Sequence, residues 1–269
     1  MVKKLFKHEI FAYFRTLIPL YIALLGVALC GRIIQFFEND SIAFDIVMGA
    51  SATVYAVTAI ATLLLTFVFI VVRFYKNMYT GEGYLTFTLP VTVSQHITVK
   101  LFVALFFQFI SIIGVLLSVA VITFGEFFAE IVKALSYLIK MFTENMGYHL
   151  WLFVIEFLVA LVYLFIFEYL VYYTCISIGQ LSRKNRIISA IGVYFAYYII
   201  TQIIGTVIVV FVTLLEDSSI AKEIMLFVAR HHYATAHIVA CGAILFMSIV
   251  SAVLFFVNRS IMTKRLNLE

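Results

Sequence analysis

Six runs of twenty or more predominantly apolar residues dictate the solvent in which this chain can fold. They cover about 16–37, 50–72, 99–124, 150–178, 187–215 and 234–257. A helix needs roughly 20 such residues to cross the hydrocarbon core of a bilayer. In the whole chain 65% of residues are hydrophobic and 12% charged; soluble domains run at about 45–50% and about 25%. The mean hydropathy is +1.13. A water-soluble chain of 269 residues has no way to hide that much apolar surface. In lipid the backbone must satisfy its own polar groups, which selects helices here. The prediction is an all-α membrane protein, a single transmembrane domain over 1–269 with six spans.

The connections alternate in charge. One side carries Lys3, Lys4, Lys7 and Arg15, then Arg73, Lys76 and Lys100, then Arg183, Lys184 and Arg186, and finally Arg259, Lys264 and Arg265. The other side is acidic, with Glu38, Asp40, Asp45, Glu126, Glu130, Glu144, Glu216, Asp217 and Glu223. Lys and Arg concentrate in cytoplasmic loops, so both termini are expected inside. The start, MVKKLFKHEIFAYFR, lacks a small-residue cleavage site and does not read as a signal peptide. Cys30, Cys175 and Cys241 are scattered through apolar segments, which argues against a disulfide framework or a zinc cluster. His231, His232 and His237 lack the i, i+4 spacing of a helical metal site, and no metal is expected.

Three further stretches have a helical period without spanning. In 2–15, Val2, Leu5, Phe6, Ile10, Tyr13 and Phe14 oppose Lys3, Lys4, Lys7 and His8, as in a basic helix lying on anionic lipid. Phe128, Ile131, Val132, Leu135, Leu138, Ile139 and Phe142 form an apolar stripe in the third connection. Residues 219–231 follow the capping sequence Asp217-Ser218-Ser219.

The connection over 73–98 is the most informative. It holds a Gly81-Glu82-Gly83 turn, then Tyr84, Leu85, Phe87 and Leu89, then Pro90 as a stop. A plain linker would be polar, whereas exposed aromatics suit either a protein partner or a helix resting on lipid. Ionisable residues inside the spans are Arg32, Glu156 and Glu168. Arg32 and Glu156 lie at similar depth and are expected to pair; Glu168, nearer the middle, has no evident cation. Thr58, Thr62 and Thr66 recur at four-residue spacing in the second span, and Tyr194, Tyr198, Thr201 and Gln202 form a stripe in the fifth. Such stripes face other helices or a polar path.

The run Tyr79-Thr-Gly-Glu-Gly-Tyr-Leu-Thr-Phe-Thr-Leu-Pro-Val resembles the signature of bacterial ABC permeases of the second type. Ser177-Ile-Gly-Gln-Leu-Ser-Arg-Lys-Asn-Arg resembles the same family's next cytoplasmic turn. The resemblance implies a multi-pass protein of the bacterial inner membrane, with 1–15 as the connecting helix and 73–98 as the coupling-helix loop. It makes Asn77, Tyr79, Glu82, Tyr84, Leu85 and Pro90 contacts to a separate ATPase subunit. It also makes the stripes Thr58, Thr62, Thr66 and Tyr194, Tyr198, Thr201, Gln202 the lining of a translocation path. The partners implied are that ATPase, a second permease copy (itself or a sibling) and membrane lipid, with no nucleic acid. ATP and Mg would sit on the ATPase, since this chain has no GxxxxGK[ST] motif and no cofactor of its own. Neither GxSxG nor HExxH occurs, so an enzyme is not expected. Aromatic-rich spans suit an amphipathic or hydrophobic peptide cargo, as in the phenol-soluble-modulin-type exporters of this family. The alternative is a non-transporting scaffold or sensor subunit of a signalling or immunity complex.

Overall fold

The computed structural model describes residues 2–37, 41–182, 185–215 and 218–264. The loop charges Glu38, Asp40, Arg183, Lys184, Glu216, Asp217 and Arg265 lie outside them. The described residues form nine helices and no strand. They are α1 (Val2–Gln35), α2 (Ile42–Tyr79), α3 (Gly81–Phe87), α4 (Val93–Ile122), α5 (Glu126–Met146), α6 (His149–Gly179), α7 (Arg186–Leu215), α8 (Ser219–Arg230) and α9 (His232–Lys264). Six of these, α1, α2, α4, α6, α7 and α9, are long and apolar enough to cross a membrane. These are the marks of a multi-pass membrane protein.

Several of the six overrun the hydrocarbon core. At 1.5 Å per residue α1 is about 50 Å long and α2 about 57 Å, against about 30 Å of hydrocarbon. The basic stretch 2–15, expected as a separate helix, is continuous with the first span. The reason is a single buried stripe, Glu9, Tyr13, Leu17, Leu24, Ala28 and Gly31, which runs through residue 15 without a break in period. Pro19 sits inside the helix without ending it. The second span likewise continues to Tyr79, because nothing in Arg73–Tyr79 breaks a helix before Gly81. At the start of α4 a capping box draws residues 93–98 into the helix. The Thr92 side chain accepts from the Gln95 amide at 3.4 Å, and the Gln95 side chain accepts from the Thr92 amide at 3.0 Å.

The helices group into two compact units, one of residues 1–74 and 89–147, the other of 75–88 and 148–269. In the first, α1 packs on α4. Tyr13 stacks on Phe107 at 5.0 Å and meets Phe69 edge-on at 5.1 Å. At the far end Gly31 lets the two helices close in, since a Cβ there would lie 3.0 Å from Ile122. α2 reaches this pair through its larger side chains, with the Tyr55 hydroxyl 2.9 Å from Ser118 Oγ. α5 leads on from α4 through Gly125, whose φ of 115° is costly for any residue with a Cβ. Its apolar stripe from Phe128 to Phe142 is exposed along its length.

In the second unit α6 packs on α9 and α7, and α8 touches α9. Burial is concentrated in the last eleven residues of α6, from Tyr169 to Gly179. α7 has no buried residue at all; it is largely apolar apart from the stripe of Tyr194, Tyr198, Thr201 and Gln202. Ser218 caps α8 by accepting from the Ala221 amide at 3.1 Å.

Candidate functional site

The turn after α2 is built from the inside out. Tyr79, the last residue of α2, is 1% exposed, and its hydroxyl donates to Ser177 Oγ at 2.6 Å. Ser177 lies in the last turns of α6, is fully buried, and bonds in turn to the Asn258 side chain of α9. In either orientation of its amide, Asn258 joins Ser177 to the Thr174 hydroxyl, the latter at 2.8 Å. Thr174 itself donates to the Leu170 carbonyl at 2.6 Å. One hydrogen-bonded chain therefore ties the root of α3 to α6 and α9. Two residues past Ser177, a Cβ on Gly179 would fall 2.6 Å from Ala190, so only glycine lets α7 approach α6 this closely.

From that root α3 emerges with its outer face unfilled. Glu82, Tyr84 and Leu85 are exposed, Tyr84 by 57% and Leu85 by 74%, while Gly83 is buried. Among the residues that the sequence placed at a partner, Asn77 and Tyr79 are buried, and Tyr79 bonds to Ser177 of its own unit. Glu82, Tyr84 and Leu85 stand on the surface of α3. Pro90, which belongs to the first unit, is exposed there.

The first unit holds an ion cluster of its own. Glu9 of α1 accepts from Lys100 of α4 at 2.8 Å and from Arg73 of α2 at 3.0 Å. The Arg73 guanidinium also lies over the Tyr13 ring, 5.3 Å from its centroid. Sequence reasoning treated Arg73 and Lys100 as loop charges and passed over Glu9. The usable signal was an acid on the apolar face of a basic helix, four residues before Tyr13.

The intramembrane charges each have a setting within one unit. Arg32 donates to Gln35 at 2.7 Å, lies over the Phe36 ring, and packs against Gly125. Glu156 bonds to His237 Nδ1 at 2.8 Å; His237 Nε2 meets His149 Nδ1 at 3.0 Å, and Phe153 stacks on the His237 ring. His237 thus joins a carboxylate–imidazole chain with His149, which no spacing within one span could reveal. Glu168 is half-buried one turn before Tyr172 and makes no hydrogen bond or ion pair among the described residues.

The two polar stripes differ. In the first unit Thr62 and Thr66 are fully buried; Thr66 donates to Ser111 of α4 at 3.3 Å and Thr62 to the Thr58 carbonyl at 2.8 Å. Thr58 bonds back to Val54 at 2.7 Å. In the second unit Tyr194 stacks on Tyr172 at 5.1 Å, their hydroxyls 3.1 Å apart. Tyr198, Thr201 and Gln202 lie on the open face of α7. Among the described residues no group of three or more His, Cys, Asp or Glu side chains is arranged to hold a metal ion. No family model, curated protein or solved structure matches this chain.

Proposed function

We propose that this chain is the membrane subunit of an ATP-driven exporter of the second ABC type, in a bacterial inner membrane with both termini in the cytoplasm. The observation that carries the reading is α3. A seven-residue helix is rooted by buried hydrogen bonds yet presents Tyr84 and Leu85 outward beside Glu82. Exposed aromatic and aliphatic groups with one adjacent charge are the composition of an interface core. A separate ATPase subunit, carrying ATP and Mg, is the partner that suits it, since the chain has no phosphate-binding loop of its own. Glu82 would meet a basic residue on that subunit.

A second copy of the permease, or a sibling, completes the unit. The open face of α7 with Tyr198, Thr201 and Gln202 is the surface offered for it. Thr58, Thr62 and Thr66 would line the path only in a state that parts α2 from α4. Amphipathic or hydrophobic peptides are the proposed cargo. The test is reconstitution in liposomes with an ABC ATPase subunit from the same genome, followed by ATP hydrolysis with and without an amphipathic helical peptide. Peptide-stimulated hydrolysis supports the exporter. A stable complex whose hydrolysis no peptide alters favours the scaffold or sensor reading instead.

A further inference from the structure

We infer that Tyr79, Ser177 and Asn258 are positioning residues that pass movement of α3 to α6 and α9, an inference that rests on α3 being the ATPase docking helix. Three segments of the second unit converge at Ser177. Tyr79 arrives from the root of α3, Ser177 from α6, and Asn258 from α9, and all three are essentially removed from solvent. Only Gly81's predecessor, Thr80, separates Tyr79 from the first residue of α3. A displacement of α3 therefore begins two residues from Tyr79 along the chain.

The chemistry of the joint favours transmission over mere support. An apolar core slides with little directional preference, because dispersion contacts are weak individually and lack fixed geometry. Buried hydroxyl and amide groups must keep a partner at a fixed distance and angle, since leaving one unpaired in a low-dielectric interior is costly. When Tyr79 moves, keeping its bond to Ser177 requires Ser177 to follow, although Ser177 Oγ also donates to the Tyr173 carbonyl at 2.7 Å. Asn258 then follows Ser177, because it spans Ser177 and Thr174. α7 is drawn along as well, since Gly179 leaves no slack against Ala190. The joint thus connects one small helix to all three long helices of its unit.

Cys241 provides the readout. It is an exposed residue of α9, its Sγ 3.9 Å from the Glu156 carboxylate of α6, seventeen positions before Asn258, or about 25 Å along the helix axis. The experiment uses the full permease–ATPase complex in nanodiscs, with Cys30 changed to Ser so that Cys241 is the exposed thiol. The rate of maleimide labelling is measured with and without ATP, Mg and vanadate. In this background the labelling rate is expected to change on trapping. Tyr79→Phe keeps the ring and removes only the hydroxyl; Ser177→Ala removes the centre of the joint without adding bulk. Both variants should bind the ATPase as the parent does. Each should reduce the trapping-dependent change at Cys241 by at least about fivefold, the low end of two-site coupling. If both variants bind the ATPase and keep the full change, the inference is overturned while the docking reading stands. If both lose ATPase binding, the joint is only a prop for α3 and the inference is overturned. If the parent complex forms but Cys241 does not respond, nothing is transmitted to α9 and the inference again fails. If the parent never binds the ATPase, the docking reading fails and takes the inference with it.

Discussion

Glu9 and Lys100 are 91 residues apart in sequence and 2.8 Å apart in space, with 5% and 4% of their side chains exposed. The contact fastens the start of α1 to the start of α4, and Arg73 of α2 closes on the other carboxylate oxygen. Removing one partner of a buried pair leaves an uncompensated charge and costs about 3–5 kcal/mol. Glu9→Ala strands two cations at once and should lower the thermal unfolding temperature in detergent more than Arg73→Ala, which leaves Glu9 paired with Lys100. The double change Glu9→Gln with Lys100→Met should recover part of the loss. Equal effects from Glu9→Ala and Arg73→Ala would show that the cluster is not held by Glu9.

The Glu156–His237–His149 chain makes a sharper distinction among the histidines. His237→Ala removes the imidazole that pairs Glu156 and should destabilise the second unit by about 1–3 kcal/mol, the cost of an unsatisfied buried polar group. His232→Ala, at an exposed position, should fall within about 0.5 kcal/mol of wild type. Denaturation of the two variants side by side decides between this arrangement and a set of equivalent interfacial histidines.

Glycine substitutions test the packing of α6 on α7. Gly179→Ala places a methyl group 2.6 Å from Ala190 backbone atoms and should destabilise by about 1–3 kcal/mol through overpacking. Gly114→Ala and Gly205→Ala meet nothing within 4 Å. Each should be neutral or stabilising by up to about 1 kcal/mol, because alanine favours the helix. Thermal unfolding of the three variants reads this directly, and a tolerated Gly179→Ala would contradict the close approach.

Helix α5 exposes its apolar stripe, and lipid is the surface proposed to cover it. An environment-sensitive dye on a cysteine introduced at Leu138 should report an apolar setting in nanodiscs, while the same dye at Lys140 should report water. Matching spectra at the two positions would rule out an interfacial α5.

Those expectations trace back unevenly to the sequence. The six spans were legible because lipid imposes a length and an apolarity that nothing else mimics. The stripe of α5 was legible because a helix with one apolar face leaves a local period, and the start of α8 because Ser218 is a capping residue. The continuity of α1 was hidden by charge: Lys3, Lys4 and Lys7 suggested a separate surface helix, while the buried stripe through Tyr13 and Leu17 carries the helix into the span. The contacts at the site were less accessible still. Arg32 bonds to Gln35 within the first unit, and Glu156 to His237 within the second. Depth in a bilayer orders residues along one axis only, and choosing partners requires the rotation of each helix about its own axis. Tyr79 and Asn77 read as partner contacts because their motif surrounds an exposed turn. Asn77, Met78 and Tyr79 are consecutive and all buried, so tertiary packing encloses the last turn of α2 on more than one face, which the motif does not encode.

The central claim is that α3 docks an ATPase, and the most direct measurement is the affinity of the purified chain for an ABC ATPase subunit from the same genome. Leu85 is 74% exposed, so Leu85→Asp should leave folding intact while placing a charge in the proposed interface. The account predicts a stable complex with the wild-type chain and at least about tenfold weaker binding by Leu85→Asp, equivalent to about 1.4 kcal/mol. A wild-type chain that does not bind the ATPase, or a Leu85→Asp chain that binds it equally well, would contradict the claim.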